Sequence, residues 1–301
     1  MSDDSAQRRY PRFSLSDRLE HWVQVVVFTG LAITGLVQTW SESWFPKVII
    51  TGLGGINSTR FIHRSLAVAA LIATAYHLGT AGYRFFVKRT GHHMLPGFND
   101  VRAAMRSVSF NLNLRPDPPH QGKFTFAEKA EYWSIIWGTV LMAVTGLMMW
   151  NPIATTEILP GELIPAAKAA HGGEAILAVL AILVWHMYFV YVQPFNRSMF
   201  TGYLTEEEMY EEHRLELEAI RSGERTITIP PETLRRRRRI FFPVYGAIVI
   251  LAAASVLLFL SYQEGAITTV TPPPSGSEVY TPYAPATVPP SADAAPPTVE
   301  P

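Results

Sequence analysis

The sequence predicts an all-α integral membrane fold, a four-helix transmembrane bundle joined by a fifth, C-terminal transmembrane helix. Three observations predict it. Of the 301 residues 48% are hydrophobic and only 17% are charged, and the apolar residues gather in five runs of about 18 residues or more, the length that crosses a hydrocarbon layer. Lys and Arg fall mainly in alternate connections between those runs. The first and third runs open on similar hexapeptides, which makes the chain a tandem of two helix hairpins.

Residues 1–20 form a polar N-terminal segment with Asp3, Asp4, Arg8, Arg9, Arg12 and Arg18. No small-residue cleavage site follows the first apolar run, so that run reads as a retained helix rather than a leader. The spans are predicted at residues 22–40, 66–83, 132–150, 175–192 and 240–262, so that the bundle domain covers 21–192. Residues 84–131 read as a polar connection with Pro96, Pro116, Pro118, Pro119 and a turn at Phe98-Asn99-Asp100. In the connector 193–239, the Glu-rich stretch 205–221 has helical spacing and predicts a solvated helix. The uninterrupted arginines 235–239 predict a stop that fixes topology and touches anionic lipid. The Pro-, Thr- and Ala-rich residues 263–301 carry no Lys or Arg and predict an extended external tail.

Orientation follows from charge. The N-terminal segment holds four Lys and Arg, 84–131 holds eight and 193–239 holds nine; the other side has only Lys47, Arg60, Arg64 and Lys168. The positive-inside rule then puts the N-terminus in the cytoplasm and the tail outside the bacterial inner membrane. The formal net charge is zero, and no nucleic-acid partner is expected. The chain has no cysteine, which excludes covalent haem attachment, thiolate-bound iron–sulfur clusters and disulfides.

Ionisable residues inside spans are functional candidates by default. Five of the nine histidines, His21, His63, His77, His171 and His186, lie in or at the mouths of spans. His63 and His77 are 14 residues apart and His171 and His186 are 15 apart, or roughly 21 and 22 Å along an α-helix. Each pair falls within about 60° on one helix face. Both helices run in the same direction, so His63 lies level with His171 and His77 with His186. Two layers of facing imidazoles suit bis-histidine ligation of two b haems. Zinc would need three or four ligands in one place. A proton relay would recruit intramembrane carboxylates, of which the core spans hold almost none. His92, His93, His120 and His213 lie in polar segments and are expected to be solvated.

The internal repeat aligns Asp17-Arg18-Leu19-Glu20-His21-Trp22 with Glu128-Lys129-Ala130-Glu131-Tyr132-Trp133, and Thr34-Gly35-Leu36 with Thr145-Gly146-Leu147. Its symmetry pairs His77 with His186 and leaves His21 without a counterpart, because Tyr132 stands in the matching place. On the residues alone, the fourth ligand is therefore open between His21 and His77.

DRLEHW leading into TGL, the IHR of the second span, GKFTFAEKAEYWS before the third, and the HGGEA and WHMY of the fourth resemble the membrane cytochrome b subunits of formate dehydrogenases and nickel–iron hydrogenases. The resemblance covers roughly residues 12–200. It implies two haem b groups in a four-helix core, held by His63 and His171 on the outer side and by His21 and His186 on the inner side. It also implies electron exchange with a quinone, menaquinone or ubiquinone, near the cytoplasmic face. The matching stretch there is 123–129, with Thr125, Glu128 and Lys129 as candidate quinone contacts; Thr125 and Glu128 stand where the formate dehydrogenase subunits tend to have amides. Glu128 is equally suited to a helix N-terminal charge. The expected partner is a separate iron–sulfur or multihaem c-type cytochrome subunit on the outer face, docked through the fifth helix and the tail. The direction of electron flow is left open, and the competing class is a haem-free membrane anchor or scaffold.

Overall fold

The computed structural model describes residues 8–192, 196–224 and 229–262. The proposed external tail, residues 263–301, lies outside the described residues. Five helices are long and apolar enough to cross a membrane. They are α1 (Leu15–Thr39), α3 (Ile56–Gly82), α5 (Phe126–Trp150), α7 (Leu163–Leu180) and α11 (Pro231–Ser261). Each starts before its apolar run, because a helix continues through the polar boundary once nucleated. His63 and His171 therefore stand on regular α-helix. Their flanks are apolar outwards: Val26, Ile72, Trp137 and Leu251 are each at least two-thirds exposed. Such surfaces mark a protein whose solvent is lipid.

Helices α3 and α7 finish in π winding, over Tyr83–Val87 in the first case and Ala181–His186 with Tyr188–Val192 in the second. In π winding each residue turns less than in α-helix, so the segment ending at His186 rotates that side chain by roughly a quarter-turn from its α position. The 60° separation from His171 expected for an unbroken α-helix does not hold. His186 is turned toward α1.

At one end, short helices α2 (Trp44–Gly52) and α6 (Pro152–Thr156) close the hairpins. At the other, the three basic connections meet in a small cap. Strands β1 (Arg9–Pro11) and β2 (Tyr203–Thr205) pair antiparallel, with Tyr10 opposite Leu204. Helix α8 (Ser198–Thr201) leads into β2 through Gly202, whose φ of +86° suits glycine. Two further helices, α9 (Glu206–Glu212) and α10 (Arg214–Arg221), fold back so that Leu204, Met209 and Leu217 form a buried cluster with Tyr10 and Ile220 against it. The stretch expected as one solvated helix is thus two packed ones, broken at His213.

The expected turn at Phe98-Asn99-Asp100 is instead the first turn of α4 (Phe98–Asn111), with Asp100 accepting from the Gly97 amide at 2.7 Å. Its apolar residues Phe98, Val101, Met105 and Val108, with Leu112 at its C-cap, recur at helical spacing and are all exposed.

Helix α11 packs on the bundle at both ends. Near the cap, Tyr245 lies over Gly79, where any side chain would collide with its ring. The Tyr245 hydroxyl donates to the Ala75 carbonyl, and Arg237 donates to the Val87 carbonyl at 3.0 Å. At the far end, the Asn151 amide donates to the carbonyls of Phe259 and Tyr262 at 2.7 and 2.9 Å.

Candidate haem-ligating histidine pairs

An imidazole nitrogen sits about 2 Å from a metal it ligates. Two imidazoles on opposite sides of one iron therefore have ring centres about 6 Å apart. Two pairs meet that spacing here. His63 on α3 faces His171 on α7 with ring centres 6.4 Å apart. His21 on α1 faces His186 at the end of α7 with ring centres 6.2 Å apart. One pair is toward α2 and α6, and the other is just above the cap.

The far pair has a local logic that repeats. The Thr34 hydroxyl donates to the Gly30 carbonyl at 2.6 Å and meets His63 Nδ1 at 2.8 Å. The Thr145 hydroxyl donates to the Leu141 carbonyl at 2.6 Å and meets His171 Nδ1 at 2.9 Å. A hydroxyl has one proton, and here the carbonyl takes it, so each imidazole must donate from Nδ1. That leaves Nε2 of both rings with a free lone pair, the form in which histidine binds a metal. The following glycines make room: a Cβ at Gly35 would lie 3.1 Å from His63, and one at Gly146 would lie 3.3 Å from His171. The Thr-Gly of each repeat thus orients one ring and admits it.

At the cap-side pair, Glu131 Oε1 holds His186 Nδ1 at 2.5 Å, again leaving Nε2 free. His21 Nδ1 is buried and has no hydrogen-bond partner among the described residues. The ring spacing fits a haem iron at each pair, and so do the free Nε2 lone pairs of His63, His171 and His186. Among the described residues no group of three or more His, Cys, Asp or Glu could hold a free metal ion.

His77 is placed differently. Its Nδ1 meets Glu20 Oε2 at 2.8 Å and its Nε2 meets the Tyr132 hydroxyl at 2.9 Å. Both nitrogens are taken. The expectation that His77 pairs with His186 is not met: His77 faces Tyr132 with ring centres 5.8 Å apart.

The candidate quinone residues are tied into a helix end. Thr125 caps α5, accepting from the Glu128 amide at 3.1 Å, while Glu128 accepts from the Thr125 amide at 2.8 Å. This reciprocal cap is the reading of Glu128 as a helix-terminal charge. Glu128 also binds Arg12 at 2.8 Å, and the Arg12 side chain is only 3% exposed. Lys129 pairs with Asp100 of α4 at 2.8 Å.

Of the histidines expected to be solvated, His92, His93 and His120 are exposed. His213 is not: it is fully buried under the cap, its Nδ1 donating to the Gly122 carbonyl at 3.0 Å. Burial, and then the nearby Arg12 guanidinium, hold its pKa below the usual value. The neighbouring Glu212 carboxyl is pushed up to about 7, first by burial and then by the Glu128 carboxylate. Thr34, Thr145, Glu20 and Glu131 were not singled out as site residues, although the repeat aligns Thr34 with Thr145 and Glu20 with Glu131.

Residues 12–202 match the family described as prokaryotic cytochrome b561. The chain is similar to the cytochrome b556(Fdn) subunit of the nitrate-inducible formate dehydrogenase of Escherichia coli K12, at 23% identity over 62% of this chain and 80% of that one. It is 24% identical to the cytochrome b556(fdo) subunit of formate dehydrogenase from the same organism, over 64% of this chain and 85% of that one. It is 23% identical to the formate dehydrogenase cytochrome b556 subunit of Haemophilus influenzae, over 67% and 79%. With five membrane-crossing helices and facing histidines suited to haem b, the chain belongs to the prokaryotic cytochrome b561 family, as a multi-pass membrane cytochrome b of bacterial electron transport.

Proposed function

We propose that this chain is the two-haem, quinone-linked electron-transfer subunit of a membrane oxidoreductase, with His63 and His171 holding one haem b and His21 and His186 the other. The observation that carries the reading is the pair of facing imidazole sets at 6.4 and 6.2 Å. Haem b supplies a one-electron couple at each level when bound. The chain's own residues orient the ligands. Thr34 and Thr145 hold the far rings as Nδ1 donors, and Glu131 does the same for His186.

Quinone exchange belongs at the cap-side end of α5. Thr125, Glu128 and Lys129 form the rim of that site, and Glu131, which holds His186, lies one helical turn beyond Glu128. The tied-up state of the three rim side chains supports a shaping role rather than three free contacts. The cap is assigned to the cytoplasm. The positive-inside rule supports this, and so does the packing of residues 9–11, 121–128 and 203–221, all from basic connections, against one another. The related proteins are formate dehydrogenase subunits, which supports a separate partner on the opposite face. Without cysteine, this chain leaves thiolate-bound clusters to that partner, an iron–sulfur or multihaem c-type subunit.

The test is haem stoichiometry on purified protein by pyridine haemochrome. Two protohaems per chain are expected. His63→Ala, His171→Ala, His21→Ala and His186→Ala should each leave one, while His77→Ala should leave two. A haem-free preparation, or loss of haem in His77→Ala but not in His21→Ala, overturns the reading.

A further inference from the structure

The cap-side level of the bundle contains two constellations, not one. Exchanging α1 with α5 and α3 with α7, as the repeat requires, carries His21 onto Tyr132, His186 onto His77 and Glu131 onto Glu20. The contacts follow the exchange. Glu131 holds His186 Nδ1 at 2.5 Å, and Glu20 holds His77 Nδ1 at 2.8 Å. His21 faces His186 at 6.2 Å between ring centres, and Tyr132 faces His77 at 5.8 Å. Each constellation has a carboxylate that fixes the imidazole tautomer, a histidine aimed inward from the end of a helix, and a ring opposite. They differ at one point. The opposing ring is an imidazole in the first and a phenol in the second, and that phenol hydroxyl lies 2.9 Å from His77 Nε2, the atom that would bind a metal.

We infer that Tyr132 confines the cap-side haem to His21 and His186, and that Glu20, His77 and position 132 make a second, pseudo-twofold-related ligand site that the Tyr132 hydroxyl keeps closed. The inference rests on the proposed assignment of His21 and His186. Its chemistry is specific. A neutral phenol that satisfies Nε2 by hydrogen bonding removes the lone pair from use, and the pair then behaves as a part-buried polar contact between α3 and α5. An imidazole at position 132 would leave Nε2 of His77 free, because Glu20 already engages Nδ1. The role is therefore selection of one site out of two in a bundle whose backbone offers both.

The experiment transfers the haem across the pseudo-twofold axis and reads haem per chain together with the low-spin ferric signals by electron paramagnetic resonance. His21→Ala should retain one haem. Adding Tyr132→His to it should restore the second, and adding His77→Ala to that double variant should remove it again. Retention of the far haem at one per chain reports that each variant is folded. Should His21→Ala fail to accumulate, the same comparison is made with His186→Ala alone and with Tyr132→His. Two haems in His21→Ala by itself would overturn the ligand assignment and this inference with it. One haem in His21→Ala and still one after Tyr132→His would overturn this inference alone.

Discussion

An imidazole ligates through one nitrogen, and what the other nitrogen meets decides how good a ligand it is. In this bundle the second partners differ by level: neutral hydroxyls at Thr34 and Thr145, and a carboxylate at Glu131. A stronger acceptor makes the ring more basic and favours the ferric state. Replacing Thr34 or Thr145 by Val should therefore raise the midpoint potential of the far haem on the order of tens of millivolts. Glu131→Gln should raise that of the cap-side haem and leave the far one in place. Potentiometric titration of the purified protein followed at the b-type α band checks both. Much of this site was legible in the chain: the histidines stand out in apolar runs, and the repeat marks Thr34 with Thr145 and Glu20 with Glu131. Spacing alone left His21 and His77 open, because it says which level a residue occupies but not which neighbour it turns to; only the family motif favoured His21. The buried His213 was missed because a polar segment gives no sign of folding back on itself.

At the scale of elements, the apolar runs announced the five membrane helices, since a length of unbroken hydrophobicity has few other uses. The amphipathic α4 was hidden among prolines and arginines, although Phe98, Val101, Met105, Val108 and Leu112 carry its period. The break between α9 and α10 answers to a cap cluster assembled from distant segments, which no local pattern reports. The start of α5 shows how such segments depend on one another. Arg12, from the N-terminal segment, is buried and satisfied by Glu128 and by the Lys123 carbonyl. Glu128→Ala removes a helix cap and strands a buried cation together, so a loss on the order of 3 kcal/mol is expected. Glu128→Gln, which keeps the cap geometry, should cost less. Thermal denaturation of the detergent-solubilised holoprotein, followed by loss of the haem signal, distinguishes the two.

The described bundle has two unlike ends. Segments rich in Lys and Arg fold into a cap at one end, and the short helices α2 and α6 close the other. A chain with no cysteine of its own makes the orientation simple to read. A single cysteine at Arg102→Cys, on α4 near the cap, should react with a membrane-impermeant maleimide only after the inner membrane is opened. One at Lys168→Cys, at the far end of α7, should react in spheroplasts. The opposite pattern would invert the assignment of the cap to the cytoplasm.

The two halves of the bundle are not the same length between their histidines: 14 residues in α3 and 15 in α7. The additional residue falls in the stretch that winds as π-helix just before His186. A π turn is how a helix absorbs one residue too many without breaking. The π turn thus takes up the surplus residue in rotation, so that His186 meets His21 just as His77, with only α-helix before it, meets Tyr132. Two helices with unequal histidine spacing thereby keep equivalent facing geometry, and a single-residue deletion between 181 and 185 should turn His186 out of its contact with His21.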